Sequence, residues 1–239
     1  MSAPESAEAD DDAYWKERYC TQRVRDNGRK IKDELENPFS VALLRANDPL
    51  LRPMARAGIS ANNLTFLSLV TGLLAVYCVW VRRPVLGGLL YALSYYFDCA
   101  DGCMARFTRT ESEFGDRFDH YKDILVFTLL LAALVLRYPP SPAWWAVFVS
   151  LLALSLVHFG SVERLNERFA CGKEKGSRVL GAWKGVSRAF VPDRAGCGGL
   201  VRSMRYSRWV GDGSLVLAVT LYLVSRPFAQ REAAAPLYE

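Results

Sequence analysis

The apolar residues of this 239-residue chain are concentrated in five runs, and this concentration limits the possible folds more than any other feature. The first run, residues 64–81, has eighteen residues without a charge, which is enough for one membrane-spanning helix. The other runs cover residues 85–97, 124–136, 143–159 and 210–224. The pattern predicts an all-α integral membrane protein with a bundle of five to six transmembrane helices. The mean hydropathy of +0.05 hides this pattern because it averages the runs with polar segments.

The second and third runs have thirteen residues each and are short for a membrane span. Each is continued by a polar stretch with helix-compatible composition, residues 98–106 after the second run and 113–123 before the third. A helix over residues 113–137 would be about 37 Å long, enough to cross a bilayer and project beyond it. The two runs are therefore interpreted as the halves of one helical hairpin whose polar ends meet on one side.

The distribution of basic residues predicts the orientation in the membrane. If all five runs cross, 25 of the 30 Lys and Arg residues lie on the side of the N-terminus and of the polar hairpin end. The positive-inside rule then places that side in the cytoplasm and makes the protein multi-pass. The net charge of +5 is too small to indicate nucleic-acid binding, and no groove-reading motif accompanies it, so no nucleic-acid partner is expected.

The segments around the runs divide the chain into three parts. Residues 1–37 are expected to form a polar cytoplasmic tail, 38–226 the membrane domain and 227–239 a short C-terminal tail. Residues 39–57 predict a basic amphipathic helix lying at the membrane interface, which Pro49 and Pro53 are expected to divide into shorter pieces. Residues 160–208 predict a cytoplasmic loop that contains an interfacial helix.

Four aspartates mark the polar end of the hairpin. Asp98 and Asp101 (i, i+3) share one helix face, and Asp119 and Asp123 (i, i+4) share a face of the next helix. Four like charges at a membrane edge repel one another unless cations neutralise them, and an all-carboxylate ligand set selects Mg²⁺, Mn²⁺ or Ca²⁺ over zinc or copper. The sequence therefore predicts a divalent metal site between the two helices.

Small and basic residues surround this site. Gly102 and Ala105 keep the helix surface low, so that a flat ligand can approach closely. The basic residues of the segment can hold phosphates; they are Arg106, Arg109, Arg117 and Lys122. Arg109 and Lys122 also fit the simpler interpretation of ordinary positive charges beside a membrane. His120 has no metal-ligand partner at helical spacing, and a contact with substrate is its alternative role.

The segment from residue 98 to 123 resembles the signature of the CDP-alcohol phosphotransferase (phosphatidyltransferase) family, D-x2-D-G-x2-A-R-x8-G-x3-D-x3-D. All eight fixed positions match, a coincidence expected about once in 10⁹ windows of average composition; they are Asp98, Asp101, Gly102, Ala105, Arg106, Gly115, Asp119 and Asp123. Residues 60–65 are similar to the family's P-N-x-x-T element, with Ala61 in place of the proline.

The resemblance implies a role for each matching residue. Asp98, Asp101 and Asp119 would ligate two Mg²⁺ or Mn²⁺ ions, and Asp123 would be the general base on the acceptor hydroxyl while also lying near a metal. Four small or basic positions would shape the pocket for the cytidine diphosphate; they are Gly102, Ala105, Arg106 and Gly115. Asn62, Thr65, Arg109 and His120 are further candidate site residues.

The expected function is transfer of a phospho-alcohol group from a CDP-alcohol to a hydroxyl acceptor, with release of CMP and synthesis of a phospholipid. CDP-diacylglycerol is the favoured donor, the lipid bilayer is the second partner, and a homodimer is compatible with the family. The F-D-H-x-x-D pattern at Phe118 to Asp123 keeps a choline- or ethanolamine-type phosphotransferase, with diacylglycerol as acceptor, as the alternative. Outside the transferases, the alternatives are a cation transporter that uses intramembrane carboxylates and a scaffold that has lost catalysis.

Overall fold

The computed structural model describes residues 14–15, 27–169, 181–193 and 196–234, and the regular structure in these ranges is helical. The helices of the bundle are α1 (Pro38–Arg56), α2 (Ala61–Trp80), α3 (Pro84–Thr108), α4 (Glu113–Arg137), α5 (Pro142–Phe169), α6 (Gly181–Phe190), α7 (Gly196–Ser207) and α8 (Asp212–Ala234). A short 3-10 turn, Arg208–Val210, joins α7 to α8. The all-α fold class is confirmed.

Helix α3 is the centre of the arrangement. It packs against α1, α2 and α8, and α2 in turn packs against α4. The largest apolar core lies between α2, α3, α4, α5 and α8, and its fully enclosed side chains include Ala75, Val79, Leu134 and Leu223. Van der Waals contacts between such side chains supply the main packing energy between helices in a membrane.

Helix α1 is continuous, so the expectation that Pro49 and Pro53 would divide it was wrong. A proline inside a helix costs about 3 kcal/mol because it removes a backbone hydrogen bond and crowds the preceding turn. Here the helix buries Leu44 and Leu51 in a cluster shared with α2 and α3. This burial on both sides of Pro49 offsets the cost and holds the helix together.

The hairpin helices have the predicted extents. Helix α4 covers the predicted residues 113–137, and α3 continues the second apolar run through the polar stretch to Thr108. The packing between them differs from a simple hairpin, because α2 contacts both helices along the apolar part. A Cβ atom on Gly72 of α2 would lie 2.8 Å from Val126 Cγ1 of α4 and 3.0 Å from Ser94 Oγ of α3. The missing side chain at Gly72 lets the three helices converge.

A belt of exposed apolar side chains surrounds the bundle. Phe66 of α2, Leu89 of α3 and Leu136 of α4 expose 57, 56 and 67% of their surface, and many neighbouring positions are similar. An apolar surface of this extent is unfavourable in water and suits a lipid environment. Among the described helices, Ala61–Trp80 and Pro142–Arg168 are long and apolar enough to cross a membrane. The count of five to six spanning helices stays a prediction.

The region from residue 160 to 208 contains more helix than expected. Helix α5 continues to Phe169, and α6 and α7 pack against it instead of forming a loop with one interfacial helix. Leu165 of α5 shares an apolar cluster with Val191, which follows α6, and with Leu200 and Met204 of α7. Within the described residues, helix α6 has ten residues and is about 15 Å long.

Residues 27–37, assigned from sequence to the polar tail, pack onto the bundle in the structure. Ile31 and Leu35 join the cluster formed by α5 and α7, and Leu35 is fully buried. Arg29 pairs with Asp48 of α1 at 2.9 Å, and Lys30 forms an ion pair with the buried Glu163 of α5. This segment is therefore part of the folded structure.

A buried network of hydrogen bonds connects the start of α1 with α3 and α8. The Asn37 side chain caps α1, and its amide nitrogen donates to Arg208 O at 2.6 Å and to Ser214 Oγ at 2.8 Å. Tyr95 of α3 donates to Asp212 at 2.9 Å, and its hydroxyl also pairs with Ser40 at 2.8 Å. Burial raises the pKa of the neighbouring Glu36 to about 7, and the Asp212 carboxylate adds to the rise.

Replacement of Gly72 by alanine tests the convergence of α2, α3 and α4. An added Cβ must displace Val126 or Ser94, and overpacking of this kind costs about 1–3 kcal/mol. This cost exceeds the gain of up to about 1 kcal/mol that alanine brings to a helix. We expect Gly72→Ala to lower the thermal unfolding temperature in detergent.

Gly185→Ala is the matched control, because nothing lies within 4 Å of the added Cβ on α6. That variant should unfold at the wild-type temperature or slightly above it. Equal unfolding temperatures for the two variants would show that the contact at Gly72 is not tight.

Candidate active site

Residues 98–123, which contain the signature, form the polar end of α3, a short turn and the first turns of α4. Helix α3 ends at Thr108 and is capped by Arg109, whose backbone has a left-handed φ of 57°. Helix α4 begins after Ser112, whose hydroxyl accepts a hydrogen bond from Gly115 N at 3.0 Å. Glu113 and Asp116 in the first turn of α4 place negative charge where the helix dipole favours it. The turn and the caps therefore fix how the two polar ends face each other.

Three of the four predicted carboxylates meet between the helices. Asp98 of α3 and Asp119 and Asp123 of α4 each offer an oxygen, and these oxygens lie within 4.8 Å of one another. Asp98 and Asp119 are half-buried, whereas Asp123 exposes 54% of its side chain. The group is thus open to solvent on the side of Asp123.

Asp101 lies deeper than the other three carboxylates, with 5% of its surface exposed. Burial raises the pKa of Asp101 to about 8, and the carboxylates of Asp119 and Asp98 add to the rise. Asp101 Oδ2 is buried without a hydrogen-bond partner. Asp101 is therefore an acceptor group beside the three-carboxylate group rather than one of its members.

Lys122 lies within the carboxylate group, which the sequence did not predict. Its ammonium contacts Asp98 and lies 3.0 Å from Asp119 Oδ1 and 2.9 Å from Asp123 Oδ1. Only 3% of the residue is exposed, so it is not an ordinary positive charge beside the membrane. Burial lowers the pKa of Lys122, but the surrounding carboxylates outweigh that effect and raise it above its ordinary value.

Helix α2 supplies two site residues. Ser68, which sequence analysis missed, is buried; it donates to Ser94 O at 2.9 Å and accepts from Lys122 Nζ at 3.1 Å. Thr65, a predicted site residue, is buried beside Asp101. Ser68 lies three residues after Thr65, so the helical spacing that puts both on one face was the available signal. Helix α2 thus lines the site together with α3 and α4.

The residues present fit the divalent ions that the resemblance implies. The donor set consists of carboxylate oxygens, the ligands preferred by Mg²⁺ and Mn²⁺. Asp101 Oδ2 and Asp119 Oδ1 are buried and accept no hydrogen bond among the described residues, and Asp119 Oδ1 is approached by the Lys122 ammonium at 3.0 Å. Buried carboxylate oxygens that accept no hydrogen bond are suited to ligate a cation.

The small and basic residues of the segment take distinct positions. The guanidinium of Arg106 lies against Gly102, where a Cβ would be 3.1 Å from Arg106 Nη2. Arg106 Nε donates to Gly28 O at 2.7 Å, so residues before α1 help to position it. A Cβ on Gly115 would lie 3.2 Å from Asn62 Oδ1, which puts the start of α2 beside the start of α4. Ala105 is half-buried on the same stretch of α3 as Gly102.

The remaining predicted residues lie at the rim. Arg109 is exposed at the turn, and Arg117 exposes 65% of its side chain and pairs with Glu113 at 3.4 Å. His120 Nδ1 lies 2.6 Å from the backbone oxygen of Asp116, on the same helix. None of these three side chains has an ion pair or a hydrogen bond to the four aspartates within the described residues.

The sequence is similar to a protein family and to several known proteins. Residues 59–177 match the family described as CDP-alcohol phosphatidyltransferase. The chain is 29% identical over 135 residues to archaetidylinositol phosphate synthase of Pyrococcus horikoshii, covering 54% of this chain and 64% of that protein. It is 28% identical over 90 residues to CDP-diacylglycerol–inositol 3-phosphatidyltransferase of Candida albicans, covering 38% of this chain and 39% of that protein.

A third relative is a bifunctional IPC transferase and DIPP synthase of Thermococcus kodakarensis. It is 33% identical over 113 residues, which cover 46% of this chain and 26% of that protein. The chain therefore spans less than two thirds of the length of the curated relatives it matches. No solved structure matches the chain.

Fold and site together define an all-helical protein with a carboxylate site between the polar ends of two helices. The match over residues 59–177 coincides with α2 to α5 and includes the whole signature. The chain belongs to the CDP-alcohol phosphatidyltransferase family.

Gly28 lies before the matched region, and its replacement tests the support that residues 27–37 give to the site. Gly28 has φ +66°, and a Cβ there would lie 2.2 Å from the backbone oxygen of Cys103 in α3. Because backbone cannot give way as a flexible side chain can, Gly28→Ala must move the segment that holds Arg106. We expect a clear fall in the thermal unfolding temperature.

Gly58→Ala separates backbone strain from the steric clash. Gly58 has a similar φ of +75°, but nothing lies within 4 Å of its added Cβ. Its replacement should cost only the left-handed conformation, about 1–2 kcal/mol. A loss for Gly28→Ala no larger than that for Gly58→Ala would refute the close approach to α3.

Proposed function

We propose that the protein transfers a phospho-alcohol group, phosphatidyl in the favoured case, from a CDP-alcohol to a hydroxyl acceptor and releases CMP. The observation that carries the proposal is the convergence of Asp98, Asp119 and Asp123, with Asp101 behind them, in a chain of this family. Membership of the family and the enzyme names of the relatives favour a transferase over a cation transporter. Retention of all four aspartates argues against a scaffold without activity.

The four carboxylates would hold two Mg²⁺ or Mn²⁺ ions, with Asp98, Asp119 and Asp123 as the outer ligands and Asp101 as the deep one. When bound, such ions stabilise the negative charge that develops on the diphosphate. Thr65, whose hydroxyl donates to Ala61 O at 3.2 Å, lies beside Asp101. The low surface at Gly102, Ala105 and Gly115, with Arg106 beside it, would receive the cytidine diphosphate.

Asp123 is suited to be the general base because it is the most exposed of the three converging carboxylates. It would accept the proton of the acceptor hydroxyl, whose oxygen then bonds to the phosphorus that carries the alcohol. The bond from that phosphorus to the bridging oxygen breaks, and CMP leaves with the bridging oxygen. Arg109 and His120 at the rim stay candidate substrate contacts.

The names of the relatives suggest the acceptor. Archaetidylinositol phosphate synthase and CDP-diacylglycerol–inositol 3-phosphatidyltransferase both name an inositol compound. We therefore place inositol or inositol phosphate first among the acceptors and CDP-diacylglycerol first among the donors. The alternative of CDP-choline or CDP-ethanolamine with diacylglycerol rests on the pattern Phe118 to Asp123 alone.

The proposed setting is a membrane, with the N-terminus and the site on the cytoplasmic side. The apolar belt on α2, α3 and α4 supports the membrane, and the excess of Lys and Arg on the side of the hairpin's polar end supports the orientation. In this setting a soluble nucleotide and a lipid reach the same carboxylates. A homodimer is compatible with this proposal.

CMP release by membranes that contain the full chain tests the reaction. A panel would combine CDP-diacylglycerol, CDP-choline and CDP-ethanolamine with inositol, inositol phosphate and diacylglycerol, each with Mg²⁺, Mn²⁺ or EDTA. We expect divalent-ion-dependent CMP release with CDP-diacylglycerol and an inositol acceptor. Absence of CMP release from every pair would refute the transferase.

Variants in α4 separate the carboxylate site from general helix effects. Asp119→Asn and Asp123→Asn should each reduce CMP release by about 10²-fold or more, because they remove a ligand or the base. Asp116→Asn is the matched control, since Asp116 is exposed on the same helix and lies outside the carboxylate group. The control should release CMP at the wild-type rate. A wild-type rate of CMP release by Asp119→Asn would contradict the proposed mechanism.

Protease protection tests the orientation. In sealed microsomes with the cytoplasmic side outward, an epitope tag at the N-terminus should be digested without detergent. A tag inserted between α2 and α3, at Arg82, should be protected until detergent is added. The reverse pattern would invert the topology, and digestion of both tags would contradict a crossing by α2.

A further inference from the structure

Lys122 differs from the other cations of the signature segment. Arg109 and Arg117 are exposed, and Arg117 pairs with Glu113 at the surface. Lys122 has 3% exposure and carries its ammonium inward between Asp98, Asp119 and Asp123. A charge that loses its water at this depth must be balanced by partners, and three carboxylates provide that balance.

The position of Lys122 is fixed from all three helices. Asp98 belongs to α3, Asp119 and Asp123 to α4, and the fourth partner, Ser68 Oγ at 3.1 Å, belongs to α2. Ser68 itself is buried and bonded to Ser94 of α3, so it cannot turn away freely. The ammonium donates hydrogen bonds to Ser68 Oγ and Asp98 Oδ1, and it forms ion pairs with Asp119 and Asp123.

The carboxylates need such a cation. Asp98, Asp119 and Asp123 bring their oxygens within 4.8 Å of one another, and like charges at this distance repel one another. Among the described residues, Lys122 is the one cation within ion-pair distance of any of them. Within the part of the chain that the structure describes, no second positive charge would take its place if it were removed.

We propose that Lys122 is a resident counter-ion of the carboxylate group. It holds Asp98, Asp119 and Asp123 together before a divalent ion enters, and it competes with that ion for the same oxygens. Lys122 is thus a positioning residue that lowers the affinity for the metal while it preserves the shape of the site. The inference rests on the metal site of the proposed function but not on the identity of the donor or the acceptor.

The test uses the full chain in detergent and measures thermal unfolding and Mn²⁺ binding. Lys122→Gln removes the charge and should lower the unfolding temperature in EDTA, because the carboxylates then repel without compensation. Mg²⁺ should raise its unfolding temperature by more than it raises that of the wild type. Mn²⁺ binding, followed by electron paramagnetic resonance, should become about tenfold tighter or more, because no internal cation competes.

Two further variants serve as controls. Lys122→Arg keeps the positive charge and should resemble the wild type in EDTA more closely than Lys122→Gln does. Arg117→Gln removes an exposed positive charge less than two turns away on the same helix and should change neither quantity. A loss of stability in EDTA for Lys122→Gln that is matched by Arg117→Gln would overturn the proposal.

A double variant keeps the proposal testable if Lys122→Gln folds poorly. Adding Asp98→Asn removes one carboxylate, so the double variant should regain a large part of the unfolding temperature lost in EDTA. A lysine that acts only by packing would give no such recovery. Unchanged or weaker Mn²⁺ binding by Lys122→Gln would also overturn the proposal, whereas Mn²⁺ binding without CMP release would contradict only the transferase.

Discussion

The convergence of carboxylates at one end of a largely apolar bundle is the constraint on which the rest of the structure depends. Asp98, Asp119 and Asp123 repel one another, and their approach is possible only because Lys122 lies between them and the helices can come close. The close approach depends on Gly72, and the lysine is held from α2 by Ser68. Charge compensation and helix packing are therefore two parts of one arrangement.

The site is supported by parts of the chain outside the family match. Gly28 lies against the backbone of α3 and accepts a hydrogen bond from Arg106, while Asn37 fastens the start of α1 to the start of α8. These contacts connect the segment before α1 and the start of α1 with α3 and with the turn before α8. The segment before α1 thus belongs to the architecture of the site.

Much of the hairpin could be predicted because local signals determine it. The extent of α4 follows from its apolar run, its polar extension and the Ser112 cap, all within 26 residues of sequence. The continuity of α1 could not be predicted, since the burial that offsets Pro49 comes from α2 and α3. Ser68 was missed because its spacing from Thr65 was the available local signal, and its partners lie on α3 and α4.

The sequence by itself determined the fold class, the family signature and the four aspartates, because helix periodicity and motif spacing are properties of neighbouring residues. The tertiary structure decided which of these residues meet. It brought Asp98, Asp119 and Asp123 together and placed Asp101 deeper, beside Thr65. Lys122, which fits a surface charge in the sequence, is buried between the three carboxylates. The reason is physical: the energy of a charge depends on the burial and the partners that distant helices provide, and these distances are set only when the chain packs.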